Sequence, residues 1–268
     1  MRPKQWFTLS DGSPLTRQES FVLRQVAKGE IADLKQEFGE AETDRRLRAR
    51  FLEELLTGEL QKVEIHRRGV RISNAIIEEP VELENAEVSI CVELLNSVFE
   101  ESVNFRDISI KYLSLSGSRF LKEAVFHRMK VESAFFGQNI IFEGPADFGG
   151  AIIVGQFVAV KAKFLSENQD ANFNGIQVGN DARFDDAEFY GGADFVGADI
   201  IGQLGANDAK FLAEDQVINF SRIRVGQSTY FEGTEFHGLV IFASADIRGQ
   251  FVADGAKFLG KNQEANFN

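Results

Sequence analysis

His66, His127, His237 and Cys91 are the side chains of this sequence best suited to metal or nucleophilic chemistry, and they are far apart along the chain. A protein zinc site draws on Cys or His pairs a few residues apart, and a zinc protease on HExxH; neither spacing occurs. Ser228 and His237 can be named as a nucleophile and its base, but no GxSxG elbow presents the serine, and an outward serine on a repeat is ordinarily just solvated. "GQSTYFEG" at 226–233 and the many single glycines contain no GxxxxGK[ST] phosphate loop, and no acidic stretch has the ligand spacing of an EF-hand. The sequence predicts a protein that is not an enzyme, with no catalytic residue, no metal and no cofactor.

Charge is the other chemistry on offer. Against 29 Lys and Arg stand 41 Asp and Glu, a net charge of -12. Direct nucleic-acid binding is disfavoured, because phosphate contacts need clustered positive charge, and a charged partner would itself be basic. Between Ile72 and Phe105 there are eight acids and no Lys or Arg. Glu78 and Glu79 follow Ile77, and Glu100 and Glu101 follow Phe99, so a repeat that stacks Ile77 under Phe99 also stacks these four carboxylates. Like charges set opposite one another repel, so something basic should cover them. The chain's own "RRLRAR" at 45–50 or "HRRGVR" at 66–71 is the first expectation, ahead of an external partner.

The elements that hold these residues follow from a repeat. "GQFVADGAKFLGKNQEANFN" at 249–268 matches "GQFVAVKAKFLSENQDANFN" at 155–174 at 15 of 20 positions, and "GQLGANDAKFLAEDQVINFS" at 202–221 lies midway. Within "ARFDDAEFYGGADFVGADI" at 182–200, each large apolar centre has a small residue two places earlier: Ala182/Phe184, Ala187/Phe189, Ala193/Phe195 and Ala198/Ile200. Residues two apart in an extended chain share a face, so these pairs point inward while Arg183, Glu188, Asp194 and Asp199 face water. Such centres continue from Ile72 through Phe136 to Phe267, and the glycines between them are expected to supply positive φ at the corners.

Counted on the centres, Phe157 to Phe184 takes 27 residues and Phe184 to Leu204 takes 20, which makes the 47-residue offset one expanded and one plain coil. The seven additional residues divide as two, four and one, with the four between Phe164 and Phe173. "SENQD" at 166–170, "AEDQV" at 213–217 and "GKNQE" at 260–264 then form a polar ridge on one edge. Glu167, Asn168, Glu214, Asp215, Asn262 and Gln263 therefore join Glu78, Glu79, Glu100 and Glu101 as candidate partner-binding residues. Residues preceding the centres carry the register: Lys163, Glu188, Lys210, Glu235 and Lys257 alternate in sign on the second side. Gln177, Asp199, Arg224 and Asp246 follow one another on the fourth, and Gln156, Arg183, Gln203, Tyr230 and Gln250 on the first.

A small residue, a polar residue, a large apolar residue and two more, as in "ARFDD", "ADFVG" and "ADIIG", is a pattern that resembles the pentapeptide-repeat proteins. The resemblance implies a mainly β fold, a right-handed four-sided parallel β-helix with one pentapeptide per side, in about nine coils over residues 63–268 with the last incomplete. Some members of that family act as DNA mimics that bind DNA gyrase and related topoisomerases, and acidity and a rod shape are shared here. The column of Lys163, Lys210 and Lys257 would interrupt a continuous negative stripe. The first expectation is a non-catalytic protein-interaction scaffold, a docking or sensing module of a longer protein; the DNA mimic is the alternative.

Residues 1–62 depart from the pattern. "TRQESFVLRQVAKGE" opens with the Thr16/Glu19 spacing of a capping box, and "TDRRLRARFLEELLTG" sets Leu47, Phe51 and Leu55 four apart before Gly58, a helix stop. Two or three helices are predicted, either as an α-helical cap on the first coil or as a separate interaction segment. One cysteine and no long apolar run predict a cytoplasmic chain with no membrane segment. Asn268 corresponds to Asn174, part-way round a coil, which leaves a longer protein or end-to-end self-association as expectations.

Overall fold

The computed structural model describes residues 8–60, 63–260 and the strand Ala265–Asn266. From Val70 onward, short strands recur every five or six residues and pair in parallel with the strands one coil before and one coil after. The result is a parallel β-solenoid with four sides. Side two is a ten-stranded sheet running from Arg46–Leu47 to Lys257–Phe258, and side three a nine-stranded sheet from Val81–Glu82 to Ala265–Asn266. Sides one and four join in one sheet, because Glu87–Leu95 and Ser109–Ser114 stay extended around the corner between them.

Inside, phenylalanine rings stack up the sides. Phe99, Phe120, Phe142, Phe164, Phe189, Phe211, Phe236 and Phe258 follow one another on side two at centroid spacings such as 4.5 Å for Phe99 to Phe120 and 4.6 Å for Phe164 to Phe189. On side three Phe126, Phe148, Phe173, Phe195, Phe220 and Phe242 do the same, and rings of the two columns meet edge to face, as Phe164 and Phe173 do at 5.6 Å. Each fully buried ring contributes roughly 1.5–3 kcal/mol, which makes this column the main stabilising element. The sequence-based register is observed on sides two and four: Lys163, Glu188, Lys210, Glu235 and Lys257 are paired in turn, as are Gln177, Asp199, Arg224 and Asp246.

Side one is different from the expectation. Phe157 pairs with Ala182, not Phe184, and the aligned inward series continues Leu204, Thr229, Phe251. A large-then-small pair thus alternates with a small-then-large pair: Phe157/Ala159, Ala182/Phe184, Leu204/Ala206, Thr229/Phe231. Rings therefore interleave, Phe157 lying 5.4 Å from Phe184 at a tilt. The outward residues between them are Val158, Arg183, Gly205, Tyr230 and Val252, so Gln156, Gln203 and Gln250 are not in the ladder. In the same column Phe135 is buried and stacks on Phe157, while Phe136 turns outward against Tyr112 at 5.8 Å and is not a core centre.

Counted on Ala159, Phe184, Ala206 and Phe231, successive coils take 25, 22 and 25 residues, not 27 and 20. All of the difference sits at the corner between sides two and three, where Phe164 to Phe173 takes nine residues and Phe189 to Phe195 takes six. The corner glycines divide into two kinds. Gly175 and Gly197 have positive φ as expected, but at Gly179 a Cβ would lie 2.0 Å from the carbonyl oxygen of Val154. That glycine is required by close approach of the coil below.

The N-terminal segment closes the first coil. Its helices are α1 (Arg17–Lys28), α2 (Leu34–Phe38) and α3 (Ala49–Thr57), with a 3-10 turn at Glu42–Arg45. Thr16 and Glu19 form the capping box of α1, and Gly58 ends α3 in the left-handed conformation. Ala32–Asp33 adds a strand to Ile72–Ser73 on side one, and Arg46–Leu47 adds one to Ile76–Ile77 on side two. At side three Glu53 accepts the Glu82 N–H at 2.7 Å. The edge that would otherwise be unpaired is therefore covered on three sides.

Candidate interaction surface

The candidate residues fall on one edge. Ile76 and Ile77 pair with Val98 and Phe99, and the same column continues through Phe164, Phe189 and Phe211, so the residues that follow each centre line the corner between sides two and three. Glu78, Glu79, Glu100, Glu101, Glu167, Asn168, Glu214 and Asp215 all lie along it. Asn262 and Gln263 lie outside the described residues.

At its N-terminal end this edge is answered by the cap. Arg46 meets Glu78 at 2.6 Å, and Glu79 accepts the Ala49 N–H at 3.2 Å, at the start of α3. Arg48 does not reach out to the belt: its Nε and Nη2 donate to both oxygens of Glu19, which is fully buried, and that charged hydrogen bond raises the guanidinium's pKa. Arg71 from the second basic stretch meets Glu93 at 3.1 Å. Glu100 is half-buried and Glu101 exposed, and among the described residues no cation pairs with either.

Further along, the edge carries the loops. Glu167, Asn168, Gln169 and Asp170 are exposed, as are Glu214 and Asp215. The sequence did not announce that these two loops are tied together. Gln216 spans the plain coil between them: its Nε2 donates to the Glu167 carbonyl, and its Oε1 accepts the Gly192 N–H at 2.7 Å. Gly191 fits beneath because a Cβ there would lie 2.3 Å from the Ser166 carbonyl oxygen. Although Asp170 is exposed as a residue, its carboxyl is partly desolvated, and that, followed by the neighbouring Asp194, holds it above the usual aspartate range.

The residues singled out for chemistry are separated. Ser228 Oγ accepts the Gln250 N–H at 3.1 Å on side one, whereas His237 follows Phe236 on side two, 3.9 Å from Glu235. His127 meets Asp147 at 3.1 Å on side three. Among the described residues no group of three or more His, Cys, Asp or Glu is placed to hold a metal ion, and no helix is long and apolar enough to cross a membrane. The chain matches no family model, no curated protein and no solved structure.

Proposed function

We propose that this chain is a pentapeptide-repeat-like, non-catalytic interaction scaffold that presents the edge between sides two and three to a partner protein. The observation that carries the reading is the alternation at that corner. Plain coils close it in six residues, whereas alternate coils spend nine. The loops expose Glu167, Asn168, Gln169, Asp170, Glu214 and Asp215 beside Val217, and Gln216 fixes one loop to the next. Loops longer than a scaffold needs, held in place on its surface, are where binding residues concentrate. The single cysteine and the acidic composition favour a reducing compartment and a basic partner.

The test is capture of a partner from lysate on the immobilised chain, repeated with the loops at 166–170 and 213–217 each shortened by three residues to the plain length. The shortened chain should keep its unfolding midpoint and lose the partner. Undiminished capture, or none by either form, would refute the reading. Stoichiometric inhibition of gyrase supercoiling would instead favour a topoisomerase-binding DNA mimic; the alternating Lys163, Glu188, Lys210, Glu235 and Lys257 column supports the opposite result.

A further inference from the structure

A second surface lies on side one, around Gly205. The outward column there reads Val158, Arg183, Gly205, Tyr230, Val252 in strand register. The residues 47 positions away on either side of Gly205 are both valine, Val158 and Val252. Where the super-repeat supplies a side chain twice, it omits one here, and a cavity of about 310 Å³ opens between Arg183 and Tyr230.

The walls of this notch are set by hydrogen bonds from coil to coil. Asp181 Oδ1 accepts the Gln203 N–H at 2.9 Å, Asp185 Oδ1 accepts the Asn207 N–H at 3.2 Å, and Asn207 Oδ1 accepts the Glu232 N–H at 3.0 Å. Three carboxylates, Asp181, Asp185 and Glu232, line it with one cation, Arg183, which is already committed to Asp185 at 2.8 Å. Two negative charges remain in excess. Asp185 is only 13% exposed, so part of this charge lies away from bulk water. The turn residues Asp186 and Asp208, at the adjoining corner, add two further acids, against Lys161 at the same turn position one coil before. Tyr230 supplies an aromatic wall.

We propose that the Gly205 notch receives the guanidinium of an arginine on a basic partner protein. Charge complementarity selects a cation. A planar guanidinium can lie against Tyr230 while forking to a carboxylate, which an ammonium cannot do in the same way. The proposal rests on the reading of the chain as an interaction scaffold.

The test uses the full chain, fluorescein-labelled hexa-arginine and its hexa-lysine counterpart. Gly205→Val leaves the net charge unchanged and inserts the residue found at 158 and 252; its Cβ would meet Asp185 Oδ1 at 3.3 Å, a contact a small side-chain shift relieves. Wild type should prefer hexa-arginine, and Gly205→Val should erase the preference and weaken hexa-arginine binding by about tenfold. Asp181→Asn, on the surface, should weaken it as well and serves if Gly205→Val does not fold; Glu78→Gln should change nothing. Equal binding by wild type and folded Gly205→Val, or by wild type and Asp181→Asn, would overturn the proposal. Should that happen while loop shortening still abolishes partner capture, the notch falls and the scaffold stands. If capture survives loop shortening but Gly205→Val weakens hexa-arginine, the ridge falls and the notch stands.

Discussion

The acids of the first coils and the acids around Gly205 are treated differently by the rest of the chain. Glu78 meets Arg46, Glu79 takes an N–H of α3, and Glu93 meets Arg71. Around the notch Asp185 alone has a cation, an arginine two residues away in its own coil, Asp181 takes only the Gln203 N–H of the next coil, and neither contact comes from the cap. Part of one acidic stretch, Glu78 and Glu79, is therefore engaged in docking the cap, whereas the notch keeps its excess of carboxylates. A net charge of -12 does not distinguish them; position in the coil stack does.

The sharpest way to break this contrast is to remove one cation from inside the cap and one from the notch. Arg48→Ala leaves Glu19, 0% exposed, without its two-pronged partner, and should cost about 3–5 kcal/mol in denaturant unfolding. Arg183→Ala removes an exposed partner and should cost less than about 1 kcal/mol. Equal losses would mean that the cap is not held by its buried charge pair. A smaller effect comes from Arg46→Ala, about 0.2–1 kcal/mol, because its pair with Glu78 is exposed on both sides. Glu232→Gln should stay within about 0.5 kcal/mol of wild type in the same measurement, since no cation loses a partner.

The smallest effect is on pH. Asp170 has its pKa raised by partial desolvation of its carboxyl and then by Asp194, so the folded chain holds that proton more tightly than the unfolded one. This group therefore lowers stability at neutral pH, and the loss is recovered as pH falls through the raised value towards the ordinary 3.8. Asp170→Asn should melt slightly above wild type at pH 7, with the difference shrinking as pH approaches 4. A difference that grows on acidification would have the wrong sign.

Much of the solenoid was legible because its period is local. A small residue and a large one two apart give direction, and the charges between them give register, as the Lys163 to Lys257 column shows. Side one was misread because Phe157/Ala159 and Ala182/Phe184 both satisfy an inward pair, and choosing the larger member as centre shifts alternate coils by two residues. Only the stacking of one coil on the next decides between them, as it does between Phe135 and Phe136. The cost of that misreading was functional: it placed Gln203 in the outward column and hid Gly205. The ridge was legible as loops, but Gln216 was not, since its partners Glu167 and Gly192 lie on other coils.

Hydrogen exchange of the chain with its captured partner bound tests the central claim most directly. The account predicts slowed exchange at 166–170 and 213–217, with the stretch from Glu78 to Glu101 unchanged. Protection confined to the N-terminal helices or to that acidic stretch, with the loops exchanging as in the free chain, would contradict it.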